Sequence, residues 1–242
     1  MTPRYRECVS NLEVTERAIC ILVRSARRLS PRSRPSQTPP RSASPIARLI
    51  PRVNRPTTLA GAIKTQAVVL GSSVTTLWAS FTANIVAGGS LTRYGVQPRT
   101  VDGLWGILFA PFIHASVAHL VANTIPLIVL GALVLVRDAR HFVPVTLLSM
   151  LGAGLGAWLL GAPGSVHIGA SGVVFGYFGF LMLAGWFARS AASIAISILV
   201  TVAWGGLVLG VLPGQPGISW QAHLGGFIGG VLAAKWLAPR RR

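Results

Sequence analysis

The chain has 242 residues, of which 52% are hydrophobic and only 11% charged, with a mean hydropathy of +0.61. Soluble domains do not carry that apolar excess, so the composition points to an integral membrane protein. The formal charge of +17 invites a nucleic-acid partner, but thirteen of the 22 Lys and Arg precede residue 66 and others flank the apolar runs. That is the distribution of membrane orientation and of contact with anionic lipid headgroups. Tyr5 is the only aromatic residue of the basic N-terminal stretch, so no base-stacking surface and no nucleic-acid partner is expected. Cys8 and Cys20 both lie in that stretch, which excludes a disulfide framework or a metal-thiolate site from the membrane region.

Residues 1–60 hold half of the prolines and the Ser/Pro/Arg-rich run Ser30 to Pro56, and they read as a disordered, basic cytoplasmic tail. The run Ala18 to Val23 is too short for a signal-peptide core, so no removed leader is expected. Residues 61–242 form the second unit. Six apolar segments follow in order: Ala67 to Ala87, Ser116 to Val136, Phe142 to Gly161, Ser171 to Phe187, Ala191 to Val211 and Trp220 to Leu237. Each approaches the roughly 20 residues that a bilayer demands.

Arg137 and Arg140, Arg189, and Lys235 with Arg240 to Arg242 fall on the side shared with the basic N-terminus. The positive-inside rule then puts both termini in the cytoplasm, and the expected location is the plasma (inner) membrane of a bacterium. The outer loop Gly88 to Ala115 carries Trp105, Phe109 and Phe112 in an apolar mix too short to span, and is expected to lie partly embedded in the outer interface.

Spans two, four and six run inward, so depth can be compared by counting from their inner ends at about 1.5 Å per residue. Ser171 stands about 24 Å above Phe187, His223 about 21 Å above Leu237, and His119 and Asn123 about 26 and 20 Å above Val136. One layer holds all four. It lies below the surface of a hydrocarbon core about 30 Å thick, so helix four is expected to begin inside the membrane after the glycine-rich turn Gly161 to Gly169. Irregular backbone is tolerated there only if it is buried in protein or lines a wet cavity. The first amides of helix four would then point toward Ser171's surroundings and stabilise an anion.

Taken alone, Ser171 reads as the N-cap of helix four, and His223 as a partner in an interhelical hydrogen bond. Glycines change that balance. Gly172, Gly176 and Gly179 on helix four, and Gly226 and Gly230 on helix six with Gly225 and Gly229 beside them, allow backbone contact that brings imidazole to hydroxyl. His119 and Asn123, at i and i+4, share one face; they either brace helices or join the Ser171 amide in holding an oxyanion. His114 is expected to fix the embedded loop, and neither His141 nor His167 is expected to be catalytic.

The five acidic residues, Glu7, Glu13, Glu16, Asp102 and Asp138, all lie outside the apolar segments. A Ser-His-Asp triad and an aspartate pair are thereby disfavoured, HExxH is missing, and Val173 replaces the second glycine of a G-x-S-x-G elbow. A dyad remains, with Ser171 as nucleophile and His223 as general base.

From about Gly95 onward the chain resembles the rhomboid intramembrane serine proteases. The resemblance rests on His114-x4-His119-x3-Asn123, Gly169-Ala170-Ser171-Gly172 and Ala222-His223-x2-Gly226-x3-Gly230, in family order. It implies an all-α membrane protein with a six-transmembrane-helix bundle, no cofactor, Ser171 and His223 as the catalytic pair, and His119 and Asn123 at oxyanion-stabilising positions. It also implies single-span membrane-protein substrates cut near their outer ends. Two departures stand out: Phe175 replaces a frequent tyrosine, keeping the stacking face without the hydroxyl, and the first-loop Trp-Arg pair is absent, though Arg99 and Trp105 are near. The rival readings are a catalytically inactive rhomboid-like binder of membrane proteins and a small-solute transporter. Both dyad residues are present, against the first, and no convincing internal repeat supports the second.

Overall fold

A computed structural model describes residues 58–215 and 217–238. The tail expected to be disordered therefore lies almost wholly outside the described residues, as do Cys8, Cys20 and the three glutamates. Six long helices make up the described part: α1 (Leu59–Val86), α2 (Val117–Arg137), α3 (Phe142–Leu160), α4 (Ser171–Ala188), α5 (Ala191–Trp204) and α6 (Trp220–Trp236). Among the described residues there is no strand, only an isolated bridge between Val96 and His167.

Five stretches are long and apolar enough to cross a membrane: α1, α2, α3 with the turn before it, α4, and α5 with the 3-10 segment Gly205–Val211 that continues it. With 17 residues, α6 is about 26 Å long at the usual rise, a little under the hydrocarbon thickness. α1 starts eight residues before the apolar segment read from sequence, because Thr58 accepts the Gly61 N–H at 3.1 Å and caps it. Leu59 and Ala60, assigned to the tail by composition, are thus helical. Span five is also not one α-helix: at Gly205-Gly206 it tightens into the 3-10 segment.

At the centre lies α4, whose Tyr177, Phe178, Phe180 and Leu181 are fully buried among α2, α3 and α6 residues such as Leu130, Val145 and Ala233. Apolar helices gain little from burial against one another in lipid, so close backbone contact must supply cohesion. The glycines of α6 do this on two faces. A Cβ on Gly226 would collide with the Gly172 carbonyl and one on Gly230 with that of Gly176, both on α4, while Gly225 and Gly229 press in the same way on Gly152 and Leu148 of α3. Sequence spacing foresaw the α4 contact; the second stripe belongs to α3.

The first loop is tied to the end of α3. Arg99, in the left-handed region at φ 58°, donates to the carbonyls of Leu159 (3.0 Å) and Gly161 (2.8 Å), and Trp158 Nε1 donates to the Thr100 carbonyl at 2.8 Å. The C-terminal carbonyls of α3 thereby gain a cation, as a helix dipole favours. Anchoring that the missing Trp-Arg pair left open comes from Arg99 and Trp158. Within the loop, Gly106, Ala110 and Pro111 face inward, while Trp105, Leu108 and Phe109 are exposed.

Candidate active site

Ser171 is the first residue of α4, and the cap position belongs to Ala170, which makes no side-chain capping bond. The cap reading of Ser171 is therefore corrected. Its hydroxyl instead meets His223 Nε2 at 2.8 Å, across the glycine seam between α4 and α6. On the other side of the ring, Nδ1 lies 2.9 Å from the Gly210 carbonyl in the 3-10 segment after α5. A carbonyl can only accept, so Nδ1 carries the proton and Nε2 presents its lone pair to the serine. No acidic side chain is needed to choose that tautomer. Phe175 lies flat on the imidazole, with ring centroids 4.0 Å and planes 11° apart, so rotation of the ring is blocked by stacking and by hydrogen bonding at both nitrogens.

Gly169 adopts φ 108°, a conformation that side chains rarely tolerate. A Cβ there would stand 2.6 Å from His119 Nε2 and 3.8 Å from Asn123 Nδ2. The bare glycine thus lets both α2 side chains reach the backbone two residues before the serine. Asn123 donates one N–H to the His119 carbonyl at 2.8 Å, and its second remains available. The turn itself is held by Gly169 N–H to the Ala110 carbonyl at 2.8 Å and by Ala170 N–H to His114 Nε2 at 3.4 Å. His114 is fully buried, edge-on to His119 with centroids 5.0 Å apart. It ties the end of the first loop to the turn before α4, a structural role. Among the described residues, the amides of Ser171 and Gly172 have no acceptor, so they remain donors beside the hydroxyl.

His167, not expected to be catalytic, joins three segments. Its backbone pairs with Val96 in both directions at 2.9 Å; its ring bonds Ser165 Oγ at 3.0 Å and Ser219 Oγ at 2.6 Å. Ser219 caps α6 four residues before His223, and His167 stands four before Ser171. The two chains that deliver the pair are clamped together at their entrances. Burial holds the His167 ring below its ordinary pKa, in its neutral form. His141 lies at the opposite end of the bundle, beside Arg137 and Ala188.

A cavity of about 30 Å³ touches Ser171 and Gly172 and is walled by Ala110, Ala153, Ala157 and Ala222, which is room for about one or two waters. Among the described residues, no group of three or more His, Cys, Asp or Glu is placed to hold a metal ion. Two contributors were missed from sequence. Gly210 acts through its carbonyl, which leaves no mark on residue identity, whereas the His167–Ser219 pair has a faint signal in two polar residues placed four positions before Ser171 and His223.

Residues 101–240 match the Rhomboid domain family model. The chain belongs to the rhomboid family. It is 45% identical over 166 residues to an uncharacterized protein of Mycobacterium tuberculosis, covering 65% of this chain and 69% of that protein. An uncharacterized protein of Mycobacterium leprae is 46% identical over 162 residues, 63% of this chain and 64% of its own length. RHOMBOID-like protein 4 of Arabidopsis thaliana is 33% identical over 139 residues, 54% of this chain and 33% of its own. The Rhomboid domain match takes in all four residues singled out from sequence, Ser171, His223, His119 and Asn123. With its apolar helices, the chain is an integral membrane protein.

Proposed function

We propose that this chain is an intramembrane serine endopeptidase that cuts single-span membrane proteins with a Ser171–His223 dyad. The observation that carries the reading is the 2.8 Å approach of Ser171 Oγ to an imidazole whose other nitrogen donates to a backbone carbonyl. As Oγ attacks the scissile carbonyl carbon, its proton passes to His223 Nε2. The carbonyl oxygen takes up the electron pair, and the Ser171 amide, Asn123 Nδ2 and a His119 N–H donate to it. Collapse of the tetrahedral intermediate expels the amine, which takes the proton from His223 and leaves an acyl ester on Ser171. Water then repeats the sequence, giving its proton to His223 and releasing the carboxylate product.

A helical peptide carbonyl is hydrogen-bonded and crowded, so the favoured substrates have a span that unwinds easily near its outer end. A cytoplasmic location for both termini is supported by the basic residues Arg137, Arg140, Arg189 and Lys235, which gather at the end of the bundle opposite Ser171. The membrane is the plasma membrane of a bacterium, which suits the mycobacterial relatives. Purified protein should release two fragments from a model single-span substrate in detergent and should be labelled by a fluorophosphonate. The Ser171→Ala protein should do neither. Equal labelling of both proteins, or substrate bound but left intact by the wild-type chain, would overturn the assignment.

A further inference from the structure

At the other end of the bundle, a cavity of about 460 Å³ opens between the ends of α2, α4 and α6 and the starts of α3 and α5. That volume falls within the usual range of small-molecule sites. Its charged lining is Arg137, Asp138, Arg140 and His141, and Ser190 and Ser193 complete the polar wall. Asp138 is occupied: Arg140 holds both of its oxygens, with a closest approach of 2.6 Å. Among the described residues, the Arg137 charge is then left without a carboxylate, and apart from Asp138 no acidic side chain follows Asp102 in the chain.

Among the described residues, three polar groups of this cavity can each take a further partner. Arg137 donates through Nη2 to the Ala184 carbonyl at 2.9 Å, but its Nη1 is buried with no partner among the described residues, and so is His141 Nδ1. Buried polar atoms without partners are rare enough that each calls for an explanation such as an ion or a ligand. Among the described residues only three such side-chain atoms occur, and two belong to this one cavity. Ser193 Oγ accepts from Ser190 Oγ at 2.7 Å, which leaves its own hydroxyl hydrogen free. Donors from α2, the α2–α3 turn and α5 thus surround one space that carries a net positive charge.

We propose that this cavity binds a phosphate group, either free or as the phosphodiester of an anionic lipid headgroup, through Arg137 Nη1, His141 Nδ1 and the Ser193 hydroxyl. Phosphate offers several acceptor oxygens in diverging directions, which suits donors arriving from three elements, and guanidinium is its preferred partner. The basic ends of spans lie at headgroup level, where phosphates are the abundant anion.

The test uses the full chain in detergent after lipid removal. Thermal unfolding is followed with phosphatidylglycerol, with phosphatidylcholine, and with inorganic phosphate against chloride at equal ionic strength. Phosphatidylglycerol should raise the midpoint over phosphatidylcholine by about 3 °C or more at roughly tenfold above its Kd. An equal rise with inorganic phosphate assigns the free ion; a rise with the lipid alone assigns the headgroup. Either increment should vanish in Arg137→Gln and in His141→Phe, and the latter keeps a ring against Phe180, whose centroid lies 5.9 Å from that of His141. Ser171→Ala should respond as the wild type does. No response to any additive, or the same response in His141→Phe as in wild type, would overturn the site.

Discussion

The α4–α6 seam and helix α5 are both apolar, yet the bundle treats them differently. Two-thirds of α4 is buried, against 11% of the fifth span. α6 meets α4 backbone to backbone at Gly226 and Gly230, whereas α5 presents Ile198, Leu199 and Val202 outward. A polar fastening joins α5 to α4: Ser197 Oγ donates to the Leu181 carbonyl at 2.7 Å and accepts the Gly185 N–H at 3.0 Å. In lipid, hydrophobicity does not rank contacts, so closeness of backbones and hydrogen bonds do. The hydrogen-bonded Ser171–His223 pair sits on the tighter contact, and only the Gly210 carbonyl comes from the looser span.

Breaking the seam should have the largest effect. Gly226→Val puts a branched side chain against the Gly172 carbonyl; it should lower stability by about 3 kcal/mol, the upper end of ordinary overpacking, and abolish both cleavage and fluorophosphonate labelling. Val202→Ala on the outward face of α5 should stay within about 0.5 kcal/mol and cleave normally, as paired unfolding and cleavage assays would show. Comparable losses in the two variants would erase the distinction.

Next comes the point where the loose span meets the tight one. In Gly210→Ala the new methyl would approach Phe175 Cζ at 2.7 Å and His223 Nδ1 at 3.3 Å, displacing the ring pair or the carbonyl. The expected result is a fall in kcat of about 10- to 100-fold, up to the lower end of general-base effects, with KM and unfolding temperature little changed. A wild-type kcat would show that the carbonyl does not orient His223.

His167 should matter less, because it acts through the entrances of α4 and α6. His167→Gln should lower kcat several-fold, and Ser219→Ala should do the same. The clamp also has an acid signature. Its folded pKa lies below the ordinary 6.5, so its stabilising effect is complete above that value. As pH falls below 6.5, the unfolded chain takes up a proton that the folded one resists, and stability declines until the lower folded pKa is passed. Denaturation measured across that window should show a shallower loss in His167→Gln.

The smallest effect is expected at Ser197. Ser197→Ala leaves the Gly185 amide and removes one bond to Leu181, for a cost of about 1–2 kcal/mol. Proteolysis within α5 should increase while labelling of Ser171 stays close to normal. Loss of labelling would show that α5 and the seam are one unit.

By itself the sequence determined the number and order of the long helices, because each apolar run approximates a bilayer's thickness and glycine spacing announces close packing. It also determined which polar side chains occupy the starts of α2, α4 and α6, and the serine and histidine proposed as a dyad were legible there. Tertiary structure alone decided that α6 divides its glycines between α3 and α4. Only tertiary structure, too, puts the Gly210 carbonyl on the imidazole and gathers around one cavity the Arg137 and His141 nitrogens that have no partner among the described residues. The physical reason is that residue identity encodes side-chain chemistry and periodicity, whereas a backbone carbonyl is the same at every position until the fold brings it to a partner.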